Sequence, residues 1–214
     1  SEFGLSIMNP FSSVYFDQSI GVKRRLSIKL EDIKRIQKDC YKANDEKRWL
    51  IALIADTGMR LAEGAGLLKT DFSLEDQILC VTIRPHRWRT LKTKSSARVI
   101  PLIGSAKWAA EQILDQTFES KFAFPTYNYK KRTNANSASA SLNKWLKERI
   151  GQTFSIHSFR HSMRDRLREV DCPSEVIDQI GGWARSGVGD SYGEGYSLSK
   201  MHNYLEKITF SLNC

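Results

Sequence analysis

The sequence predicts a mainly α-helical domain carrying a small antiparallel β-sheet, an α+β arrangement. Three observations predict it. Most apolar residues recur at helical spacing, as in Leu30, Ile33, Ile36, Cys40 and Tyr41, or in Phe159, Met163, Leu167 and Val170. Strand-like runs are confined to one central stretch, residues 79–101. The 214 residues, 41% of them hydrophobic, suffice for one sizeable core and show no internal repeat and no second domain.

In chain order, Ser1-Glu2-Phe3-Gly4 reads as a cloning remnant and residues 9–25 as an arm or linker. Residues 1–26 are therefore set apart from a domain over 27–214. The spacing of Leu30 to Tyr41 predicts a helix over 30–41. Residues 49–55 are apolar nearly all round, as in a core helix, and Thr57-Gly58 ends it. A short helix is expected over 60–67. Residues 79–83 read as a strand, and 91–93 and 98–101 as two more joined by a turn at 94–97. A helix over 105–118 places Trp108, Ile113 and Leu114 among its apolar positions. Residues 134–141 are small and polar, a loop and helix start before the stripe of Leu142, Trp145, Leu146 and Ile150.

Residues 158–170 carry two stripes of one helix. Phe159, Met163, Leu167 and Val170 form the apolar one; His157, Arg160, Arg164 and Arg168 form a cationic one at i, i+3, i+7, i+11. Pro173 suits the first turn of a further helix that runs through Ile180 to Gly181. Residues 185–196 hold Gly187, Gly189, Gly193 and Gly195 and read as mobile. A helix over 198–210 closes the domain.

Charge narrows the partners. Against 24 acidic residues stand 33 lysines and arginines, for a net charge of +9, and the pI is near 9.4. This balance favours a polyanion. Cys40, Cys80, Cys172 and Cys214 form no Cys-x-x-Cys pair and no zinc-type spacing, so they read as buried or incidental thiols in a reducing compartment; no metal or other cofactor is expected. No apolar run spans a membrane and no secretory signal is present, which predicts a cytoplasmic protein.

Several residues carry chemistry. Arg60 and Glu63, three apart, share a helix face on which the carboxylate orients the guanidinium; the plainer reading is a surface ion pair. His157 and Arg160 have the same spacing. An arginine fork matches a phosphate and a histidine moves a proton near neutral pH; His161 competes for the histidine role. Residues 84–98 hold Arg84, Arg87, Arg89, Lys92, Lys94 and Arg98 with no acidic residue, a run suited to a nucleic-acid backbone or simply a solvated hairpin. Trp88 within it is expected to pack under the sheet. Trp183 offers only an N–H donor. The phenol of Tyr192, with a pKa of about 10, is a poor nucleophile until positive charge and a base assist it.

These pieces, in this order, resemble the catalytic domain of the tyrosine recombinases, the phage-integrase family. Thr57-Gly58-Met59-Arg60-Leu61-Ala62-Glu63 is similar to the family's first arginine motif. Leu91-Lys92-Thr93 with Arg98-Val99-Ile100-Pro101-Leu102 looks like its lysine-bearing hairpin, and His157-Ser158-Phe159-Arg160-His161 like its His-x-x-Arg motif. Gly181-Gly182-Trp183 stands where many members have Gly-His, and Tyr192 follows at the nucleophile's spacing. Asn9-Pro10-Phe11 looks like the linker from an N-terminal core-binding domain that is absent here.

The resemblance implies a metal-free site-specific recombinase or integrase, bacterial or phage-encoded and nucleoid-associated, acting on double-stranded DNA through a 3′-phosphotyrosyl link. Arg60 and Arg160 would clamp the phosphate, Trp183 would donate to it, His157 would assist the phenol, Lys92 would protonate the leaving oxygen and Tyr192 would attack, with Glu63 in support. Lys94 rivals Lys92, and Tyr196 rivals Tyr192. Arg84, Arg87, Arg89 and Lys94 are candidate DNA contacts. A homotetramer is expected on DNA, from an isolated domain that is monomeric or weakly associated. The competing readings are a type IB topoisomerase, a silent DNA-binding relative and a basic structural protein.

Overall fold

The computed structural model describes residues 26–75, 77–116, 119–129, 132–183 and 195–210. The arm, Tyr192 and Cys214 lie outside the described residues. Among those described, eight α-helices surround a three-stranded antiparallel sheet and a two-stranded hairpin, the α+β class expected.

The centre is α2 (Glu46–Thr57), in which every residue from Trp49 to Thr57 is buried. A solvated face would leave polar residues at helical spacing; residues 49–55 have none, so the helix is enclosed. The Asp45 carboxylate caps it by accepting the Arg48 N–H at 3.0 Å. Gly58 ends it at φ +60, and a Cβ there would lie 2.4 Å from Met163 Cε. Around α2 pack α1 (Leu30–Ala43), α4 (Gly104–Asp115) and α6 (Ser158–Glu169). Phe159, Met163 and Leu167 on α6 are fully buried, each contributing about 1.5–3 kcal/mol.

One buried polar network crosses this core. Asp56 Oδ2 accepts the Ser105 N–H at 2.9 Å and its hydroxyl at 2.5 Å; Oδ1 accepts Gln37 Nε2 at 2.9 Å and faces Arg166 Nη2 at 3.4 Å. Arg166 also donates to the Ile208 carbonyl, which ties in the chain beyond α8 (Leu198–Lys207).

The sheet orders β1 (Phe72–Glu75), β2 (Ile78–Ile83) and β3 (Arg98–Pro101) antiparallel, with Phe72 opposite Val81 and Ile83 opposite Arg98. Residues 91–93, predicted as a strand, are not one: β2 pairs directly with β3, and the chain between them forms a tight bridge from His86 to Arg89 and a 3-10 turn at Lys94–Ser96. The hairpin of β4 (Asn128–Tyr129) and β5 (Arg132–Thr133) and strand β1 were not anticipated, because such short strands show no readable alternation. Residues 134–141, expected as a loop and helix start, belong almost wholly to α5 (Ala135–Ile150), whose N-terminus the Asn134 side chain caps through the Ser137 N–H at 3.0 Å. Two short helices, α3 (Leu61–Ala65) and α7 (Ser174–Gly181), border the site described next. No described helix is long and apolar enough to cross a membrane.

Candidate active site

The turn at Gly58 brings the chain sharply out of the core helix, so that Arg60 stands at the start of α3 rather than inside a helix over 60–67. Glu63, one turn on, reaches back. Its Oε2 accepts the Arg60 backbone N–H at 2.9 Å and its Oε1 pairs with Arg60 Nη1 at 2.7 Å. This is not the surface ion pair of the plainer reading, since Glu63 is buried.

A second guanidinium shares the same carboxylate. Arg98 Nη2 lies 3.0 Å from Glu63 Oε2, while Arg98 Nε donates to the Ile180 carbonyl at 2.8 Å and Nη1 to the Ser96 carbonyl at 2.6 Å. Burial by itself would raise the Glu63 carboxyl; the charge and hydrogen bond of Arg98, helped by the bonds from Arg60, outweigh it and hold Glu63 below its usual value. In the sequence Arg98 belongs to the basic run and to the hairpin motif, neither of which marks it as a partner of Glu63. The signal for its role is that it shares a strand face with the buried Ile100, where a cation needs a counter-charge.

Arg160 enters from α6. It is 3% exposed, its Nη1 donates to the Gly58 carbonyl at 2.8 Å, and its buried Nη2 has no acceptor among the described residues. Burial first, and then the charges of Arg60 and Arg98, push its pKa down to about 9, so it remains charged at neutral pH. The Trp183 ring covers it, with the guanidinium carbon 4.0 Å from the ring centroid; Arg164 lies 4.7 Å from the same centroid. The paired glycines make this possible. A Cβ on Gly181 would fall 1.7 Å from the indole, and one on Gly182, which ends α7 at φ +64, would fall 2.7 Å from Arg98 Nη1.

The lysine-bearing turn adjoins the cluster through a residue that carried no sequence signal. Ser96 Oγ accepts Arg60 Nη1 at 2.9 Å and meets Thr93 Oγ1 at 2.9 Å. Lys92 beside it is exposed, and Lys94 opens the 3-10 turn. His157 occupies the N-cap position of α6, three residues before Arg160, with its ring 5.2 Å edge-on to that of His161.

The other basic residues stand elsewhere. Arg84 pairs with Asp71 at 2.7 Å and Arg87 is exposed. Arg89, expected at a DNA surface, is instead 5% exposed, and its pKa is lowered by burial. The irregular chain that replaces the expected strand turns its side chain inward against Gly66, where an added Cβ would lie 2.8 Å from Nε. Trp88 packs on neighbouring loops, stacked on His86 at 4.6 Å, edge-on to Phe122 at 5.2 Å and donating Nε1–H to the Gly66 carbonyl at 3.1 Å. Among the described residues, no three His, Cys, Asp or Glu side chains gather where they could hold a metal ion.

Arg60 and Arg98 thus share one carboxylate, with Arg160 close enough to feel all three charges and a buried donor left over. In a low-dielectric pocket such a surplus favours a bound anion and strengthens each contact to it. A phosphate, with several acceptor oxygens, matches the forked donors.

The chain is similar to known proteins in both sequence and fold. The model of the phage integrase family matches residues 27–194. A resolvase of Escherichia coli and one of its strain K12 are each 25% identical over 169 residues, covering 66% of this chain and 64% and 62% of those proteins. The chain therefore spans a little under two thirds of their length. Among solved structures, XerA recombinase superposes with a TM-score of 0.57 at 14% identity, over 93% of this chain and 64% of that one. The Tn1549 transposon integrase in complex with circular intermediate DNA gives 0.57 at 15%, over 88% and 69%. XerH recombinase on its palindromic difH substrate, after cleavage, gives 0.55 at 19%, over 89% and 52%. At these identities the structures speak for the fold.

Proposed function

Because the chain belongs to the phage integrase family, we propose that it is the catalytic domain of a site-specific recombinase that cuts and rejoins double-stranded DNA through a phosphotyrosyl intermediate. The observation that carries the reading is Arg160: a buried guanidinium with one nitrogen unpaired, crowded by Arg60 and Arg98. Arg60, Arg98 and Arg160 stand against the single carboxylate of Glu63, and a phosphodiester supplies both the missing counter-charge and the missing acceptor.

Arg60 and Arg160 bind the non-bridging oxygens of the scissile phosphate and neutralise the charge that grows on them in the transition state; losing one such donor costs about 10²–10³ in rate. Trp183, already stacked on Arg160, donates its Nε1–H to the same oxygens. Tyr192 Oη attacks phosphorus while His157 assists removal of its proton. The bond from phosphorus to the 5′-oxygen breaks, and Lys92 returns a proton to that oxygen. The product is a 3′-phosphotyrosyl link and a free 5′-hydroxyl, and attack by a second 5′-hydroxyl reverses the step without ATP. Glu63 holds Arg60 in place. Tyr196 is the less suited to reach the phosphate, since its backbone is held at both N–H and carbonyl by Gln179.

The test is covalent capture. The protein is offered a pool of short duplexes of randomised sequence, nicked so that the 5′-hydroxyl fragment escapes and the link accumulates. Adduct that survives detergent, enriches a defined sequence and disappears in Tyr192→Phe is the expected result. Adduct that persists in Tyr192→Phe overturns the assignment, and adduct without sequence enrichment points to a topoisomerase.

A further inference from the structure

One turn of α7 grips the chain on both sides of residues 184–194, which lie outside the described residues. On the near side, the Asp178 carbonyl accepts the Trp183 N–H at 3.1 Å, and the Asp178 carboxylate takes Arg164 Nη2 at 3.2 Å. On the far side, the Gln179 carboxamide reaches one residue with both its ends. Its Oε1 accepts the Tyr196 N–H at 2.8 Å and its Nε2 donates to the Tyr196 carbonyl at 2.9 Å. This is the paired contact an adjoining β-strand makes, and it fixes the rotation of the chain as well as its position. Gly195, at φ +80, permits the approach, since a Cβ there would lie 2.8 Å from Gln179 Oε1. The next residue, Ile180, offers its carbonyl to Arg98 Nε, and Arg98 leads to Glu63 and Arg60. Residues 178–180 therefore touch the chain before the Tyr192 segment, the chain after it and the arginine cluster.

We infer that Gln179 is a positioning residue for the nucleophile: by pinning the backbone of Tyr196 it sets where the phenol of Tyr192 stands relative to the phosphate held by Arg60 and Arg160. The inference rests on Tyr192 being the nucleophile. Its physical ground is that rate falls steeply with misplacement, about 10²-fold for roughly 1 Å. A glutamine that only stabilised the start of α8 would leave this rate unchanged once the protein is folded.

The experiment uses the duplex recovered by covalent capture. Gln179→Met keeps the side chain's length and removes donor and acceptor. Single-turnover adduct formation should fall about 10- to 10²-fold, with DNA affinity unchanged. Gly195→Ala disturbs the same contact from the other side and should give the same split, which covers the case of a variant that folds poorly. A second arm separates the tether from the phosphate site. In Tyr192→Phe, hydrogen peroxide serves as a small external nucleophile; it attacks the same phosphorus, and the 5′-oxygen leaves with a proton. Adding Gln179→Met should not change that rate. The inference is overturned if Gln179→Met forms adduct at the parent rate, or if the peroxide reaction falls by the same factor, which would place its effect on the arginines instead. Persistence of adduct in Tyr192→Phe itself sinks the nucleophile assignment, and the inference with it.

Discussion

Two buried sites in this protein join arginine to carboxylate, and they are built to opposite ends. At Asp56 one carboxylate faces one guanidinium, that of Arg166, and its remaining lone pairs go to Gln37 and Ser105. At Glu63 one carboxylate faces Arg60 and Arg98, with the charge of Arg160 beside them. Charges balance at the first site and do not at the second. A charge balanced within the chain serves the fold; a charge left over is held for something outside it.

The difference can be broken at either end. The largest effect is expected from Asp56→Ala, which leaves Arg166 buried without its counter-charge. Stability should fall by about 3–5 kcal/mol, read by denaturant unfolding, while adduct formation per folded molecule is unchanged. A selective loss of cleavage would show that the Asp56 network also serves the reaction.

Arg160→Met should do the reverse. Cleavage should fall by about 10²–10³, roughly 2.7–4 kcal/mol of transition-state stabilisation, while the unfolding midpoint holds or rises, because an unneutralised buried charge has been removed. Strong destabilisation would make Arg160 a structural cation like Arg166 and end the contrast.

Glu63→Gln sharpens it through pH. The carboxyl is held below its usual value, so its ionised form contributes stability that is present above the unfolded pKa of about 4.3 and is lost as pH falls through the lower folded value. The variant should be less stable at neutral pH by about 1.5–3 kcal/mol, and the gap should narrow below about pH 4 in melts across that range. A gap that stays constant into acid would mean that the Glu63 charge does not hold the cluster.

Much of this was legible in the chain. The enclosed helix over 49–55 and the amphipathic one over 158–170 were readable because their periodicity is local and long. The order of the Arg60, Lys92, His157-Arg160, Trp183 and Tyr192 motifs was readable for a different reason: the resemblance is to a whole arrangement, where any one motif is weak. The basic run over 84–98 misled. Its arginines read alike, yet Arg84 pairs with Asp71, Arg87 is exposed, Arg89 is buried, and Arg98 joins the active cluster. Type and spacing cannot separate them, since the irregular backbone between β2 and β3 decides which way each one points.

By itself, then, the sequence determined the α+β class and the core helix and picked out Arg60 and Arg160, which the fold brings close together; these depend on neighbours a few positions apart or on a motif's composition. Only the tertiary structure decided that Arg98 shares Glu63 with Arg60, that Ser96 ties the lysine turn to the site, and that Gln179 grips the chain beyond Tyr192. Each of these joins residues distant in sequence through a hydrogen bond whose geometry exists only once the helices have packed. A side chain's partners are set by the closed fold, and a linear pattern carries no record of them.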